Sequence, residues 1–213
     1  MYKILIVDDH AIVRRGIIQV LRDGHPDYQF IEASNGGEAM QLLREALPEM
    51  VLLDIALPGR RGTDILLQIK QEFPKLPVLI LSSYPEDQYA VRLIRAGAVG
   101  YLNKQSPPEQ LIAAIKTVLG GKKYISPTVA TLLADNISGK KEVGAAPLHE
   151  KLSDREYHVF MQLALGVPLT EIGKEINLSV KTIATYRSRL LEKMGVSSNA
   201  ELTLYAVKNN LIE

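Results

Sequence analysis

Three acids are spaced in a way that could do phosphate chemistry. Asp8 and Asp9 follow an apolar run at the amino terminus, and Asp54 closes a second run, Met50 to Leu53. Carboxylates gathered in one place repel one another unless a cation sits among them. An all-oxygen set with no His or Cys favours a hard ion such as Mg2+, which takes one or two carboxylates together with water and phosphate oxygens. Ser82, at the end of a fourth apolar run, offers a hydroxyl, and Lys104, after a fifth, offers a cation able to reach across. A carboxylate can attack a phosphoryl group to give an aspartyl-phosphate, with metal and lysine neutralising charge on the transferring oxygens. Asp54, the central acid, is the natural nucleophile. Taken singly, each residue has a plainer role: a helix cap for Asp8 and Asp9, a turn for Asp54, a satisfied hydroxyl for Ser82, a surface cation for Lys104.

What unites them is the pattern of elements. Apolar runs alternate with helical spacing through the first 120 residues: strands at 2–7, 30–33, 50–54, 78–82 and 100–102, helices after each. Five such units with right-handed crossovers predict a doubly wound parallel sheet whose first and third strands are neighbours, with a site outside the strands' carboxyl ends. All five candidate residues fall there.

A helical pattern over 126–136 and a stretch of linker composition over 138–147 follow, so the chain divides into a first domain (1–120), a partly helical linker (121–149) and a second domain (150–213). The second carries four short helical patterns and no strand. Ser153 with Glu156 forms a capping-box signature, and Thr170 to Ile176 and Val180 to Met194 are two helices joined by the tight turn Asn177-Leu178-Ser179. Between Ser179 and Met194 lie Lys181, Arg187, Arg189 and Lys193 against one acid, Glu192. Lys181, Ala184, Thr185 and Ser188 share a face small enough to enter a major groove, with basic side chains flanking it for phosphates. A merely solvated basic helix would show the same charges but needs neither the turn nor the small residues.

Composition limits the rest. There are no cysteines, which removes disulfides and thiolate chemistry, and the net charge of +1 says little about partners. The sequence shows no membrane span, and its amino terminus turns acidic too early for a signal peptide, so a soluble, cytoplasmic protein is expected.

Val7-Asp8-Asp9-His10, Leu53-Asp54-Ile55-Ala56-Leu57-Pro58-Gly59, Leu81-Ser82-Ser83 and Gly97 to Lys104 resemble the receiver domain of two-component response regulators. The resemblance implies a flavodoxin-like fold, phosphorylation of Asp54 by a sensor histidine kinase, and Mg2+ held by Asp8, Asp9, Asp54 and the Ala56 carbonyl. It also implies phosphoryl contacts from Ser82 and Lys104, and Tyr101 as an aromatic that swings inward on phosphorylation. Ala56 stands where many relatives have a polar side chain, and Gln105 replaces a common proline; neither removes a required group. Leu152 to Glu156, Thr170 to Ile176, Ser179 to Ile183 and Leu190 to Val196 resemble the LuxR-type helix-turn-helix, and the pairing is that of the NarL/FixJ family. By that resemblance Ala184, Thr185 and Ser188 face base edges of double-stranded DNA with paired half-sites. Thr170, Lys181, Thr182, Arg187, Arg189 and Lys193 face phosphates, and Leu202, Leu204 and Tyr205 on the last helix form a homodimer contact upon activation.

The expected protein is a phosphoacceptor and DNA-binding regulator rather than an enzyme, with at most self-dephosphorylation. Two alternatives remain open to such a sequence. A haloacid-type hydrolase also uses an aspartate nucleophile and Mg2+, but needs an acid two residues after Asp54, where this chain has Ala56. A DNA binder indifferent to phosphorylation differs only in whether Asp54 becomes an acyl phosphate.

Overall fold

The computed structural model describes residues 2–24, 27–57, 62–138, 147–209 and 211–212, and it divides into two compact units, residues 1–141 and 142–213. His25 and Pro26, Pro58 and Gly59 of the motif after the third strand, and most of the linker stretch (139–146) lie outside the described residues.

The first unit is built on five parallel strands: β1 (Tyr2–Val7), β2 (Tyr28–Ala33), β3 (Met50–Leu53), β4 (Val78–Ser82) and β5 (Gly100–Asn103), in the order β2-β1-β3-β4-β5. The reversal of order beside β1 puts β1 and β3 next to each other, Val7 pairing with Leu53. Helices α1 (Ala11–Gly24), α2 (Gly36–Glu45), α3 (Gly62–Glu72), α4 (Glu86–Arg95) and α5 (Pro108–Leu119) supply the crossovers. All of β3 and β4 is buried, which explains why they read as unbroken apolar runs: both faces of a central strand meet helices. One core cluster joins Ile4, Ile6, Met50, Leu52, Leu79 and Leu81 of the sheet to Ile17, Leu21, Leu111 and Ile115 of α1 and α5.

After α5 the chain returns to the sheet. Tyr124 makes an isolated parallel bridge to Gly100, and its N–H donates to the Val99 carbonyl at 2.8 Å. A Cβ at position 100 would lie 2.5 Å from the Tyr124 carbonyl oxygen, so this approach requires glycine. A sixth helix, α6 (Pro127–Ser138), then packs against α4. The helix expected within the linker is therefore part of the first unit.

The second unit contains a 3-10 turn (Leu148–Lys151) and α7 (Asp154–Ala164), α8 (Leu169–Glu175), α9 (Val180–Met194) and α10 (Asn199–Lys208). Helix α7 is central, with Tyr157, Val159, Phe160, Met161 and Leu163 all buried against Ile172, Ile183, Leu190, Leu202 and Ala206. Its amino end carries the expected capping box. The Ser153 hydroxyl accepts from the Glu156 N–H at 3.1 Å, and the Glu156 carboxylate accepts from the Ser153 N–H at 2.9 Å. Among the described residues no helix is long and apolar enough to cross a membrane.

Candidate functional site: an acidic pocket and a basic helix

The parallel sheet delivers the acids to one place. Asp8 follows β1 and Asp54 follows β3, and the Asp54 N–H donates to the Val7 carbonyl at 2.9 Å, extending the ladder to the pocket floor. Both carboxylates are almost wholly buried, while Asp9 is half-buried. The Asp54 Oδ1 accepts from the Ala56 N–H at 3.0 Å, which fixes the carboxylate against the turn that follows β3. That turn is held from behind by Gly62, where a Cβ would lie 2.3 Å from the Ile55 Cα.

Lys104, at the end of β5, reaches back over the sheet. Its Nζ lies 2.6 Å from Asp8 Oδ2 and 2.6 Å from Asp54 Oδ2, bridging the two buried carboxylates. Burial opposes the lysine's charge, but Asp54 and Asp8 hold its pKa above the ordinary value. Burial pushes the Asp54 carboxyl up, against the opposing pull of Lys104 and the Ala56 N–H. Three carboxylates face one lysine, so the pocket keeps a deficit of positive charge that a divalent cation would fill. The donor set fits Mg2+, and Asp8, Asp9 and Asp54 are within reach of a common ion.

Ser82 is fully buried at the end of β4, and its Oγ accepts from the Tyr84 N–H at 3.3 Å. Tyr101, three residues before Lys104, has its ring turned into the receiver. It is buried, and its hydroxyl donates to the Tyr84 carbonyl at 2.7 Å. Burial pushes its phenol well above the usual range, with Ser82 opposing.

Two residues of the pocket were missed by sequence reasoning. The acids do have a histidine beside them: His10 Nδ1 is 2.9 Å from Asp9 Oδ1 and 3.3 Å from Asp8 Oδ1. The clue was present, since His10 directly follows the acid pair, but the ring's direction depends on the turn and not on spacing. Arg14, on α1, donates from Nη1 to the Asp8 carbonyl at 2.7 Å and from Nε to Glu32 at 2.8 Å, pinning the loop after β1 to β2. Its place one helical turn beyond His10 was the only signal.

In the second unit the sharp turn between α8 and α9 uses Asn177 with a φ of 53°, a left-handed conformation that Asn tolerates better than most residues. Ser179 caps α9, accepting from the Thr182 N–H at 3.1 Å, and Gly195 ends it with a φ of 64°. Lys181, Thr185, Ser188, Arg189 and Lys193 are exposed along α9, as is Thr170 on α8. Thr182, Ala184 and Arg187 are half-buried. Two of the basic side chains already have partners: Arg187 Nε donates to Asn199 Oδ1 at 2.7 Å, and Lys193 Nζ to Glu156 Oε1 at 2.6 Å.

On α10 the three expected dimer residues separate. Leu202 is fully buried in the core of its own unit and offers nothing to a second copy, because its face of the helix is the one packed on α7. Tyr205 is half-buried and its hydroxyl lies 3.1 Å from His149 Nδ1. Leu204 is 53% exposed, with Val207 beside it at 44%.

Comparison with known proteins gives the family of each unit. The family described as response regulator receiver domain matches residues 4–116, and that described as bacterial regulatory proteins, luxR family, matches residues 150–206. The chain is 34% identical to the response regulator GacA of Pseudomonas aeruginosa over 100% of its own length and 99% of the relative's. It is similar to the Salmonella typhimurium RcsB response regulator at 26% identity, covering 97% of this chain and 98% of that one with a TM-score of 0.58. A structure of two RcsB dimers bound to two parallel DNAs matches at 27% identity over 97% of this chain and 98% of that one, with a TM-score of 0.60.

Proposed function

This chain belongs to the two-component response regulators of the NarL/FixJ family, and on that premise we propose that Asp54 is its phosphoacceptor and that a sensor histidine kinase is its phosphodonor. The protein is a DNA-binding transcriptional regulator in which a receiver domain precedes a LuxR-type helix-turn-helix. The observation that carries the assignment of Asp54 is the double contact of Lys104 Nζ, 2.6 Å from both Asp54 and Asp8.

In the transfer, an Asp54 carboxylate oxygen forms a bond to phosphorus as the phosphorus–nitrogen bond of the kinase phosphohistidine breaks, and the histidine keeps the electron pair. The Ala56 N–H orients Oδ1, leaving Oδ2 to attack. Lys104 stands at that oxygen and moves onto the incoming phosphoryl oxygens, which it can do without leaving the pocket. Mg2+ held by Asp8, Asp9, Asp54 and the Ala56 carbonyl would neutralise charge on the phosphoryl group. The Ser82 hydroxyl is the second protein group for the phosphoryl oxygens, and Tyr101 follows the movement of Ser82 and Tyr84. Slow self-dephosphorylation by water is the only catalytic turnover this site supports.

The phosphoryl group shifts the protein to its active form only to the extent that it binds that form better, and a change from mostly off to mostly on requires about 5 kcal/mol of difference. Charge-assisted hydrogen bonds from Lys104 and Ser82 are the source. The active form is a homodimer on paired half-sites, joined through the exposed Leu204 and flanked by Tyr205, with Leu202 confined to the core. Ala184, Thr185 and Ser188 meet base edges in the major groove. Ala184 reads a thymine methyl or nothing, having no hydrogen-bonding side chain. Thr170, Lys181, Thr182 and Arg189 meet phosphates, and Arg187 and Lys193 do so only by leaving Asn199 and Glu156. All of this takes place in the cytoplasm, where kinase and DNA are both reached.

Intact-mass measurement after incubation with acetyl phosphate and Mg2+ tests the site. A phosphoryl adduct on the wild type, absent from Asp54→Asn and lost on mild base treatment, supports it; an adduct of equal yield on Asp54→Asn contradicts it.

A further inference from the structure

The basic side chains of α9 do not stand on one face. Arg187 lies four residues after Ile183, three before Leu190 and seven before Met194, and all three of these are buried. It therefore rises from the stripe of α9 that packs on its own domain, whereas Thr185 and Ser188 lie exposed on the other side. Arg187 is half-buried, and its Nε donates to Asn199 Oδ1 at 2.7 Å.

Asn199 is the first residue of α10. Helices α9 and α10 both pack on α7, and the Arg187–Asn199 bond joins them to each other directly across the intervening turn. Six residues further along α9, Lys193 Nζ reaches Glu156 Oε1 of α7 at 2.6 Å. The carboxyl-terminal half of α9 is thus pinned to both neighbours, and the amino-terminal half, with Lys181 and Thr185 exposed, is left to enter a groove.

We propose that Arg187 stays on Asn199 when DNA binds, and that Asn199 is a positioning residue that sets the angle of α9 against α10. The proposal rests on reading α9 as the helix in the groove and α10 as the helix through which two copies meet. A guanidinium is a planar, pre-organised donor, so a bond at Nε fixes direction as well as distance. Two half-sites are read together only when both copies of α9 hold a fixed angle to the dimer helix. Arg187 then supports sequence-specific binding through Asn199 and neutralises no phosphate, in contrast to Lys181.

The test uses the full chain with Mg2+ and acetyl phosphate and two duplexes of equal length, one enriched from a random pool by the wild type and one scrambled. Fluorescence anisotropy over a range of salt gives affinity and salt slope for wild type, Arg187→Ala, Asn199→Ala, their double variant, Asn199→Asp and Lys181→Ala. The start of α10 survives Asn199→Ala, because Ser198 caps it through the Glu201 N–H and the Asn199 carbonyl still accepts from Thr203. Each Ala variant at 187 or 199 should bind the enriched duplex about threefold to tenfold more weakly, the net worth of about one hydrogen bond, with the scrambled duplex and the salt slope unchanged. The double variant should lose no more than either single one. Asn199→Asp, which keeps the acceptor, should retain the wild-type preference for the enriched duplex. A slope reduced by about 1 in Arg187→Ala puts the guanidinium on a phosphate and overturns the proposal, as do additive losses or undiminished preference in Asn199→Ala. Lys181→Ala separates the two readings: if it leaves the slope unchanged, α9 is not on the DNA backbone and the reading beneath the proposal falls as well.

Discussion

The Tyr101 hydroxyl donates to the Tyr84 carbonyl at 2.7 Å, which keeps the ring inside the receiver and ties β5 to the segment after β4. The same carbonyl also accepts from Asn103 Nδ2 at 3.1 Å, and the Tyr84 ring stacks on Tyr89 of α4 with centroids 4.8 Å apart. Movement of Ser82 toward a phosphoryl group is thereby connected to α4 through Tyr84.

Replacement of Tyr101 by Phe removes one donor to the Tyr84 carbonyl. Asn103 remains, so the acceptor is not orphaned, and the cost should be about 0.5–1 kcal/mol of receiver stability instead of the ~1–3 kcal/mol of an unsatisfied buried group. Urea denaturation of wild type and Tyr101→Phe reads the difference. A loss well above that range would show that Asn103 does not hold the carbonyl alone.

Gly100→Ala places a methyl group 2.5 Å from the Tyr124 carbonyl oxygen and 3.0 Å from Leu79 Cδ1. Backbone must move, at a cost of about 1–3 kcal/mol. The Tyr124 amide, bonded to Val99 in the wild type, should then exchange its hydrogen faster, and α6 amides with it. Unchanged exchange at Tyr124 would mean that the bridge to β5 is not what seats this segment.

Lys181 and Lys193 should differ in DNA binding although both lie exposed on α9. Lys181→Ala should weaken binding to all sequences alike and reduce the slope of log affinity against log salt by about 1. Lys193 Nζ is already 2.6 Å from Glu156 Oε1, so Lys193→Ala should change the slope less. Fluorescence anisotropy at several salt concentrations measures both slopes. Equal slopes for the two variants would show that the Lys193–Glu156 pair opens on DNA.

His158 is fully buried in α7, and burial lowers its pKa, with Glu175 opposing. A histidine whose pKa is lower in the folded state than in the unfolded chain contributes stability that is complete above about pH 6.5 and is lost as pH falls below that value. Hydrogen exchange of α7 amides in the full chain should therefore speed up between pH 7.5 and 5.5 beyond the intrinsic pH effect. His158→Gln should flatten that dependence; if it does not, another group is responsible.

The pocket was legible because its residues sit at strand ends, and a parallel sheet gathers strand ends whatever the loops do. Asp8, Asp54, Ser82 and Lys104 converge for that reason, and the full burial of β3 and β4 follows from apolar runs without alternation. Helix α9 was equally legible, since Ser179 and Gly195 mark its ends chemically. What escaped depends on side-chain direction or on packing between elements. His10 is brought beside the acids by its turn. Helical spacing places Leu202 and Leu204 on α10 but does not say which of them α7 covers. The segment that ends in α6 follows the last strand–helix unit with no strand pattern of its own to tie it to the sheet, and the bridge of Tyr124 to β5 and the packing of α6 on α4 place it in the receiver.

The central claim is that phosphorylation of Asp54 controls DNA binding. It is tested most directly by measuring DNA affinity and oligomeric state of wild type and Asp54→Asn, each with and without Mg2+ and acetyl phosphate. The account predicts that the phosphodonor drives dimerisation and tighter DNA binding in the wild type alone. Equal binding by both proteins under all conditions would contradict it and leave a DNA-binding protein whose acidic pocket does not control it.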